Sequence, residues 1–206
     1  MKKKSEVNSM TVDTSDMLKS IFDTFSGLDY IRPEDIPNID LYMDQVTTFM
    51  EEHLKKTRRY PEDKILTKTM INNYAKNRLL PSPDKKKYSK EHMLLLIYIY
   101  YYKSILSIGD IQSLLEPLTE RYFHNDGNFN MQSIYEEVFS LEKEQVEKMK
   151  QDVTEKYETA SRIFPEAEAE DQEFLRIFSF ICLLSFDVYV KKQVIEKLID
   201  ELPKES

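Results

Sequence analysis

Glycine is scarce in this chain: only Gly27, Gly109 and Gly127 occur among 206 residues. Glycine adopts positive backbone φ at no steric cost, so tight β-hairpins and glycine-rich phosphate loops normally contain several glycines. The scarcity therefore predicts an all-α fold and argues against a nucleotide-binding loop. The single cysteine, Cys182, excludes an internal disulfide and a multi-cysteine metal site, and we expect it to be reduced and buried.

No group of side chains in the sequence indicates catalysis. The three histidines, His53, His92 and His124, are scattered without the spacing of metal ligands. No nucleophile–base pair and no phosphate loop can be nominated. We therefore expect a protein that is not an enzyme and that has no cofactor and no metal.

Signals for export and for membrane insertion are not evident. The basic start at residues 2–4 is followed by polar residues rather than by an apolar stretch, so we expect no signal peptide. The apolar runs at 93–102 and 177–190 are shorter than the roughly 18 residues of a membrane span. We expect a cytoplasmic protein with no membrane partner, whose first 14 residues are disordered.

Charge is distributed unevenly along the chain. The net charge is −8, but residues 55–91 contain twelve basic and four acidic residues and carry +8. The rest of the chain therefore carries −16. A basic patch on an acidic body is typical of a small nucleic-acid-binding module joined to an interaction domain, and equally of a solvated lysine-rich loop.

Apolar periodicity predicts several short helices in the first part of the chain, over residues 15–25, 40–56, 65–77, 89–102 and 107–117. Residues 97–102 have high β propensity, but no partner strand or turn glycine lies nearby, so we predict a helix there. Ser107 and Asp110 match a capping box at the start of the last of these helices.

A turn, Asn-Asp-Gly-Asn at residues 125–128, predicts a boundary between a helical domain (15–124) and a C-terminal region (129–206). The C-terminal region reads as two long helices, residues 131–160 and a second helix that starts near Pro165. Whether the second helix pairs within the subunit or across a dimer stays open. Its heptad-spaced apolar positions predict a dimer interface: Phe174, Ile177, Ile181, Leu184, Val188, Ile195 and Leu198.

The helix at 65–77 has two different faces. Ile71 and Tyr74 can point inward, whereas the opposite face is made of lysine, threonine and asparagine. Lysine attracts phosphate, and asparagine can pair with adenine in the DNA major groove. The alternative is a polar face that only contacts solvent, which a helix this short carries more often than not. Three lysines at residues 85–87 follow on a loop bounded by prolines, which fits contact with phosphates or a minor groove and equally a charged connector.

Several phrases in this part of the chain resemble known DNA-binding domains. Residues 70–81, Met-Ile-Asn-Asn-Tyr-Ala-Lys-Asn-Arg-Leu-Leu-Pro, resemble the second helix and following turn of MerR-type domains, and residues 87–91 resemble the end of their wing. Residues 106–115 resemble the helix phrase that reads Phe-Ser-Leu-Glu-Glu-Ile-Arg-Glu-Leu-Leu in those domains. More specifically, residues 66–74 followed by 85–88 resemble a bacterial family catalogued as domain of unknown function 1836. The likeness covers roughly residues 35–120.

The resemblance implies a MerR-like winged helix-turn-helix core, followed by a C-terminal pair of long helices, and binding of double-stranded DNA by a homodimer. Asn72 stands where MerR proteins usually have arginine, Asn73 stands where they have tyrosine, and Arg78 replaces the glycine of the turn. No first helix with a small-residue turn is obvious before residue 65. The resemblance and the charge pattern together nominate ten DNA-binding residues: Lys68, Thr69, Asn72, Asn73, Lys76, Arg78, Lys85, Lys86, Lys87 and Tyr88.

Two hypotheses about function follow. The first is a DNA-binding transcription regulator of MerR-like type that performs no catalysis. The second is an all-helical interaction module that no longer binds DNA and contacts a protein partner through its C-terminal helices.

Overall fold

The computed structural model describes residues 14–25, 31–125 and 127–203, and the protein is mostly helical. The predicted disorder of residues 1–14 lies outside this part, except for Thr14, which begins a helix. Two short strands, β1 (Leu41–Tyr42) and β2 (Lys87–Tyr88), and two short 3-10 helices, Pro33–Asp35 and Lys55–Thr57, accompany the α-helices. The α-helices are α1 (Thr14–Phe25), α2 (Met43–Leu54), α3 (Lys68–Lys76), α4 (Lys90–Tyr102), α5 (Ile108–Tyr122), α6 (Met131–Ser161) and α7 (Ala169–Asp200).

Helix α4 is the centre of the core. Every residue from His92 to Ile99 is buried, because leucine, isoleucine and aromatic side chains cover all sides of the helix. A helix that is apolar all round must be surrounded by other elements, and α4 contacts α5, α6 and β2. The prediction of a helix for this β-prone stretch is confirmed. The aromatic rings of Tyr98, Tyr135 and Phe139 pack together where α4 meets α6.

The two strands form a small antiparallel pair, with Leu41 opposite Tyr88 and Tyr42 opposite Lys87. Helix α2 therefore begins at Met43, later than the predicted start at residue 40. The Tyr42 backbone N–H donates to the Gln45 side chain (2.8 Å), which closes the first turn of α2. The pairing of β1 with β2 ties the segment before α2 to the segment before α4.

Helix α5 begins with the predicted capping box. The Asp110 N–H donates to Ser107 Oγ (3.1 Å), and the Ser107 N–H donates to the Asp110 carboxylate (3.2 Å). The prediction at this start is confirmed, but the helix continues through Pro117 to Tyr122.

The C-terminal helices α6 and α7 form a long antiparallel hairpin, and α6 begins in the same core as α4. The Tyr135 hydroxyl donates to the Ile31 carbonyl (2.8 Å), which joins α6 to the start of the central region. At the other end of the hairpin, α1 packs through Leu18 against Ala160 and Phe180. Among the described helices, none has the length and apolar character needed to cross a membrane. The domain boundary at 125–128 stays a prediction.

One buried histidine caps the central helix. The Ser89 backbone N–H donates to His92 Nδ1 (3.0 Å), so the neutral ring carries its proton on Nε2. Nε2 is buried and forms no hydrogen bond with the described residues, although the backbone of Ser82 is close enough to favour the charged form. Burial dominates and lowers the pKa of His92 to about 4.

Acidification is expected to weaken the fold through His92. An unfolded histidine has a pKa near 6.5, so between about pH 6.5 and pH 4 the unfolded chain binds the additional proton. The stabilising effect is complete above pH 6.5 and is lost as the pH falls toward 4. We expect a loss of about 2–3 kcal/mol at pH 4.5, measured by urea unfolding at pH 7 and at pH 4.5.

The control for this prediction is His92→Asn, which keeps an acceptor for the Ser89 N–H. Its stability at neutral pH is expected to be lower than that of the wild type, and its loss between pH 7 and pH 4.5 is expected to be smaller. An equal loss in both proteins would assign the pH dependence to other groups.

Candidate nucleic-acid interface

Helix α3 exposes the polar face that its spacing predicts. Thr67 caps the helix by accepting a hydrogen bond from the Met70 N–H (3.2 Å), and Ile71 and Tyr74 are buried. The sequence of α3 contains no acidic residue. The outward side chains are all exposed: Lys68, Thr69, Asn72, Asn73 and Lys76.

Arg78 occupies a position that normally requires glycine. Helix α3 ends in a Schellman motif: the Arg78 N–H donates to the Ala75 carbonyl (3.2 Å), and the Leu79 N–H donates to the Tyr74 carbonyl (2.9 Å). Arg78 has φ of 59°, in the left-handed region that β-carbons disfavour. The turn thus has the backbone geometry of a glycine position while it carries a cation.

Arg78→Gly is expected to raise the free energy of unfolding by about 1 kcal/mol, because glycine adopts this φ without strain. Urea unfolding followed by circular dichroism measures the change. Arg78→Ala is the matched control, because it removes the same charge but keeps the β-carbon. An equal gain from alanine would show that removal of the charge, and not relief of the backbone, stabilises the chain.

We name the turn between Asp84 and Lys87, which leads into β2, the wing. The Lys87 N–H donates to the Asp84 carbonyl (2.8 Å), and Lys85 and Lys86 between them have φ of 46° and 66°. This is the φ pattern of a type I′ turn, for which Asn-Gly is the favoured pair. Lysine at both central positions is therefore unfavourable for the backbone.

Contacts at the start of α2 bring α3 and the wing to the same place. Lys68, the first residue of α3, forms an ion pair with Asp44 in the first turn of α2. On the neighbouring strand, Lys87 Nζ lies over the ring of Tyr42, 5.4 Å from its centre. The basic helix and the basic turn therefore flank one end of α2.

The ten nominated residues do not all have the same environment. Tyr88 is 3 % exposed, and its ring packs edge-on against His92, so it supports the wing from inside and cannot reach a ligand. Lys87 is half-buried. Among the ten, four cations are exposed and form no ion pair with any other described residue: Lys76, Arg78, Lys85 and Lys86. We name these four, with the exposed uncharged residues Thr69, Asn72 and Asn73 of α3, the basic face.

Sequence reasoning missed the supports of this face. Asp44 and Tyr42 lie far from their lysine partners in the sequence, so no local spacing signals the contacts. The helix before residue 65 that contacts α3 is α2, which the apolar periodicity predicts over residues 40–56. Residues 55–67 connect the two helices, a longer link than the three to four residues of an ordinary helix-turn-helix.

The predicted dimer interface divides into two groups on α7. Phe174, Ile181, Val188 and Leu198 are exposed. The other three, Ile177, Leu184 and Ile195, are half-buried within the chain.

Cys182 is exposed, so the expectation that it is buried is wrong. It lies on the part of α7 that α6 and α1 leave uncovered. Among the described residues, no three His, Cys, Asp or Glu side chains are grouped so that they could hold a metal ion.

The fold and the basic face define a mostly helical protein in which short helices, the wing and part of a long helical hairpin share one core. The model of one protein family, described as domain of unknown function (DUF1836), matches residues 31–138, just over half of the chain. The chain belongs to this family. No curated protein and no solved structure matches it. The matched region runs from Ile31 past Tyr135, the two residues whose hydrogen bond joins its ends.

Proposed function

We propose that this protein is a dimeric, non-catalytic DNA-binding transcription regulator with a MerR-like winged helix-turn-helix. Helix α3 would lie in the major groove, and the wing would hold the phosphate backbone. The observation that carries the proposal is the wing itself, which holds two exposed lysines in left-handed conformations at its tip.

Backbone strain supports a role for these cations in binding. Five non-glycine residues in the described part have positive φ, and three of them, Arg78, Lys85 and Lys86, belong to the basic face. Strained residues persist where function requires the side chain. Asn-Gly would serve the turn better, so stability alone does not account for a lysine pair.

The arrangement assigns different tasks to its polar groups. Flexible lysine ammonium groups neutralise phosphates without reading sequence, whereas amides pair with base edges. Asn72 and Asn73 are exposed on α3 between Lys68 and Lys76. The side that we propose faces the groove therefore contains amides that can pair with base edges and lysines that can bind phosphates.

A pair of single substitutions separates these tasks. Asn72→Ala is expected to relax sequence preference, with a loss of roughly 1–3 kcal/mol on the preferred site only. Lys86→Ala is expected to weaken binding to all sequences alike. Selection from random duplexes, followed by affinity measurement on selected and scrambled duplexes, checks both. A uniform loss in both variants would contradict the assigned roles.

One observation favours a second candidate, a protein-interaction module that is silent on DNA. The outer side of α7 exposes many large apolar side chains, and such surfaces usually mark contacts with proteins. Absence of DNA binding, together with an intact fold, would select this candidate.

A further inference from the structure

Helix α7 leaves a large apolar surface uncovered. Phe174, Phe178, Phe186 and Tyr189 are each 53–67 % exposed. Because a whole aromatic side chain presents about 200 Å², these four alone leave roughly 400–500 Å² of mostly apolar surface. The exposed aliphatic side chains of the same helix add to this area: Ile181, Leu183, Val188, Val190, Val194 and Leu198.

This area is large for a monomer and indicates a contact surface. The largest apolar patch of an ordinary monomer is about 300–600 Å². A stable interface buries about 800 Å² on each partner. Phe174, Phe178, Ile181 and Tyr189 lie on one side of α7 and together expose roughly 400–450 Å². A second apolar helix, which covers one side only, is the fitting occupant.

One stripe along this surface has a self-complementary order. Its members follow one another at intervals of three or four residues, apart from the adjacent pair at its centre, and so lie along one side of the helix. Its two ends are charged, and the positions between them are not. The stripe consists of Asp171, Phe174, Phe178, Ile181, Cys182, Ser185, Tyr189 and Lys192.

When two copies of the stripe run antiparallel, unlike residues meet. With Ile181 opposite Cys182 at the centre, Phe178 faces the small Ser185 and Phe174 faces Tyr189. The acidic end then meets the basic end, Asp171 against Lys192. Both are accessible, Asp171 being exposed and Lys192 43 % exposed beside Glu196. A large residue against a small one, an aromatic against an aromatic and an acid against a base are the combinations that favour close packing and register.

We propose that α7 pairs antiparallel with α7 of a second copy of this chain, about a two-fold axis between Ile181 and Cys182. A two-fold interface uses the same surface on both copies and must be complementary to itself, and the stripe meets that condition. The pairing specifies the dimer of the proposed function. It rests on α7 alone, outside the family match, and not on DNA binding.

Native mass is the first test of this pairing. The full chain is expected to have a mass of about 49 kDa in sedimentation equilibrium at micromolar concentration, twice 24.6 kDa. Phe178→Glu is expected to raise the dimer dissociation constant roughly a hundredfold, because it places a charge in the apolar contact. Phe129→Glu is the control, since Phe129 is also exposed but lies outside α7. A monomeric wild type, or a Phe178→Glu variant that stays dimeric, would overturn the pairing.

Direction and register have their own test. In a Cys182→Ser background, Phe174→Cys and Tyr189→Cys chains are mixed and mildly oxidised. Antiparallel pairing predicts disulfides between the two different chains, whereas parallel pairing would join each chain to its own kind. Like-with-like products would contradict the proposal.

Charge exchange tests the ends of the stripe. Asp171→Lys and Lys192→Asp are each expected to weaken the dimer roughly fivefold, and the double variant is expected to recover most of that loss. Additive losses would contradict the pairing of these two residues. A dimer with this register that does not bind DNA would refute only the proposed function. A monomer that binds duplex DNA would refute the pairing and the dimeric state, but not the assignment of the basic face to DNA.

Discussion

Exchange of Lys85 and Lys86 for Asn-Gly is expected to stabilise the fold and to weaken DNA binding at the same time. Each left-handed non-glycine residue costs roughly 1–2 kcal/mol, and Asn-Gly is the favoured pair for a type I′ turn. We therefore expect the free energy of unfolding to rise by about 1–3 kcal/mol. Urea unfolding measures this part of the effect.

The same exchange removes two of the four exposed cations of the basic face. Each phosphate contact contributes about 0.9 to the dependence of log affinity on log salt. For each protomer, the loss of two contacts lowers the affinity by roughly ten- to a hundredfold at about 0.1 M salt. Fluorescence anisotropy with a labelled duplex measures the loss.

A charge-matched control distinguishes the wing from the net charge of the protein. Lys148→Gln with Lys197→Gln removes two exposed lysines from α6 and α7, and we expect its DNA affinity to stay within about twofold. If the wing variant is more stable and binds DNA as tightly as the wild type does, the wing does not contribute to the DNA interface. A wing variant that is less stable would contradict the strain argument.

Leu96→Ala is expected to produce the largest loss of stability. Leu96 is fully buried in the central helix α4, and truncation of such a leucine costs about 2–5 kcal/mol through lost burial and the cavity that remains. Small domains are stable by only about 5–15 kcal/mol, so the variant approaches unfolding at physiological temperature. The denaturation midpoint and the calorimetric Tm both report it.

Leu141→Ala is the matched control for this substitution. Leu141 lies on α6 and is 59 % exposed, so removal of its side chain is expected to cost less than about 1 kcal/mol. Equal losses in the two variants would mean that α4 is not the centre of the core.

Local signals predict much of the helical fold. Ser107 and Asp110 are three residues apart, and the capping box they form depends on little beyond that spacing. The helical spacing within α3 likewise determines that Ile71 and Tyr74 are buried together, because residues three apart lie on the same face. Asn72 and Asn73 lie between them in the sequence and point to the other side.

Contacts between distant segments account for the features that the sequence does not predict. The strand Leu41–Tyr42 pairs with Lys87–Tyr88, although α2 and α3 lie between the two strands in the sequence. Each strand has only two residues, which is too short to show a periodicity. The left-handed wing was not predicted either, since Lys-Lys lacks the Asn-Gly signal of a type I′ turn. The exposure of Cys182 depends on which side of α7 is covered by α6 and α1.

The salt dependence of DNA binding tests the central proposal most directly. The affinity of the full chain for a random-sequence duplex is measured across a salt series, beside the Asn-Gly wing variant. Four exposed cations on each of two protomers predict a slope of log affinity against log salt of about −7, reduced to about −3.5 in the variant. Absence of binding at low salt, or a slope that the wing substitution leaves unchanged, would contradict the assignment of the basic face to DNA.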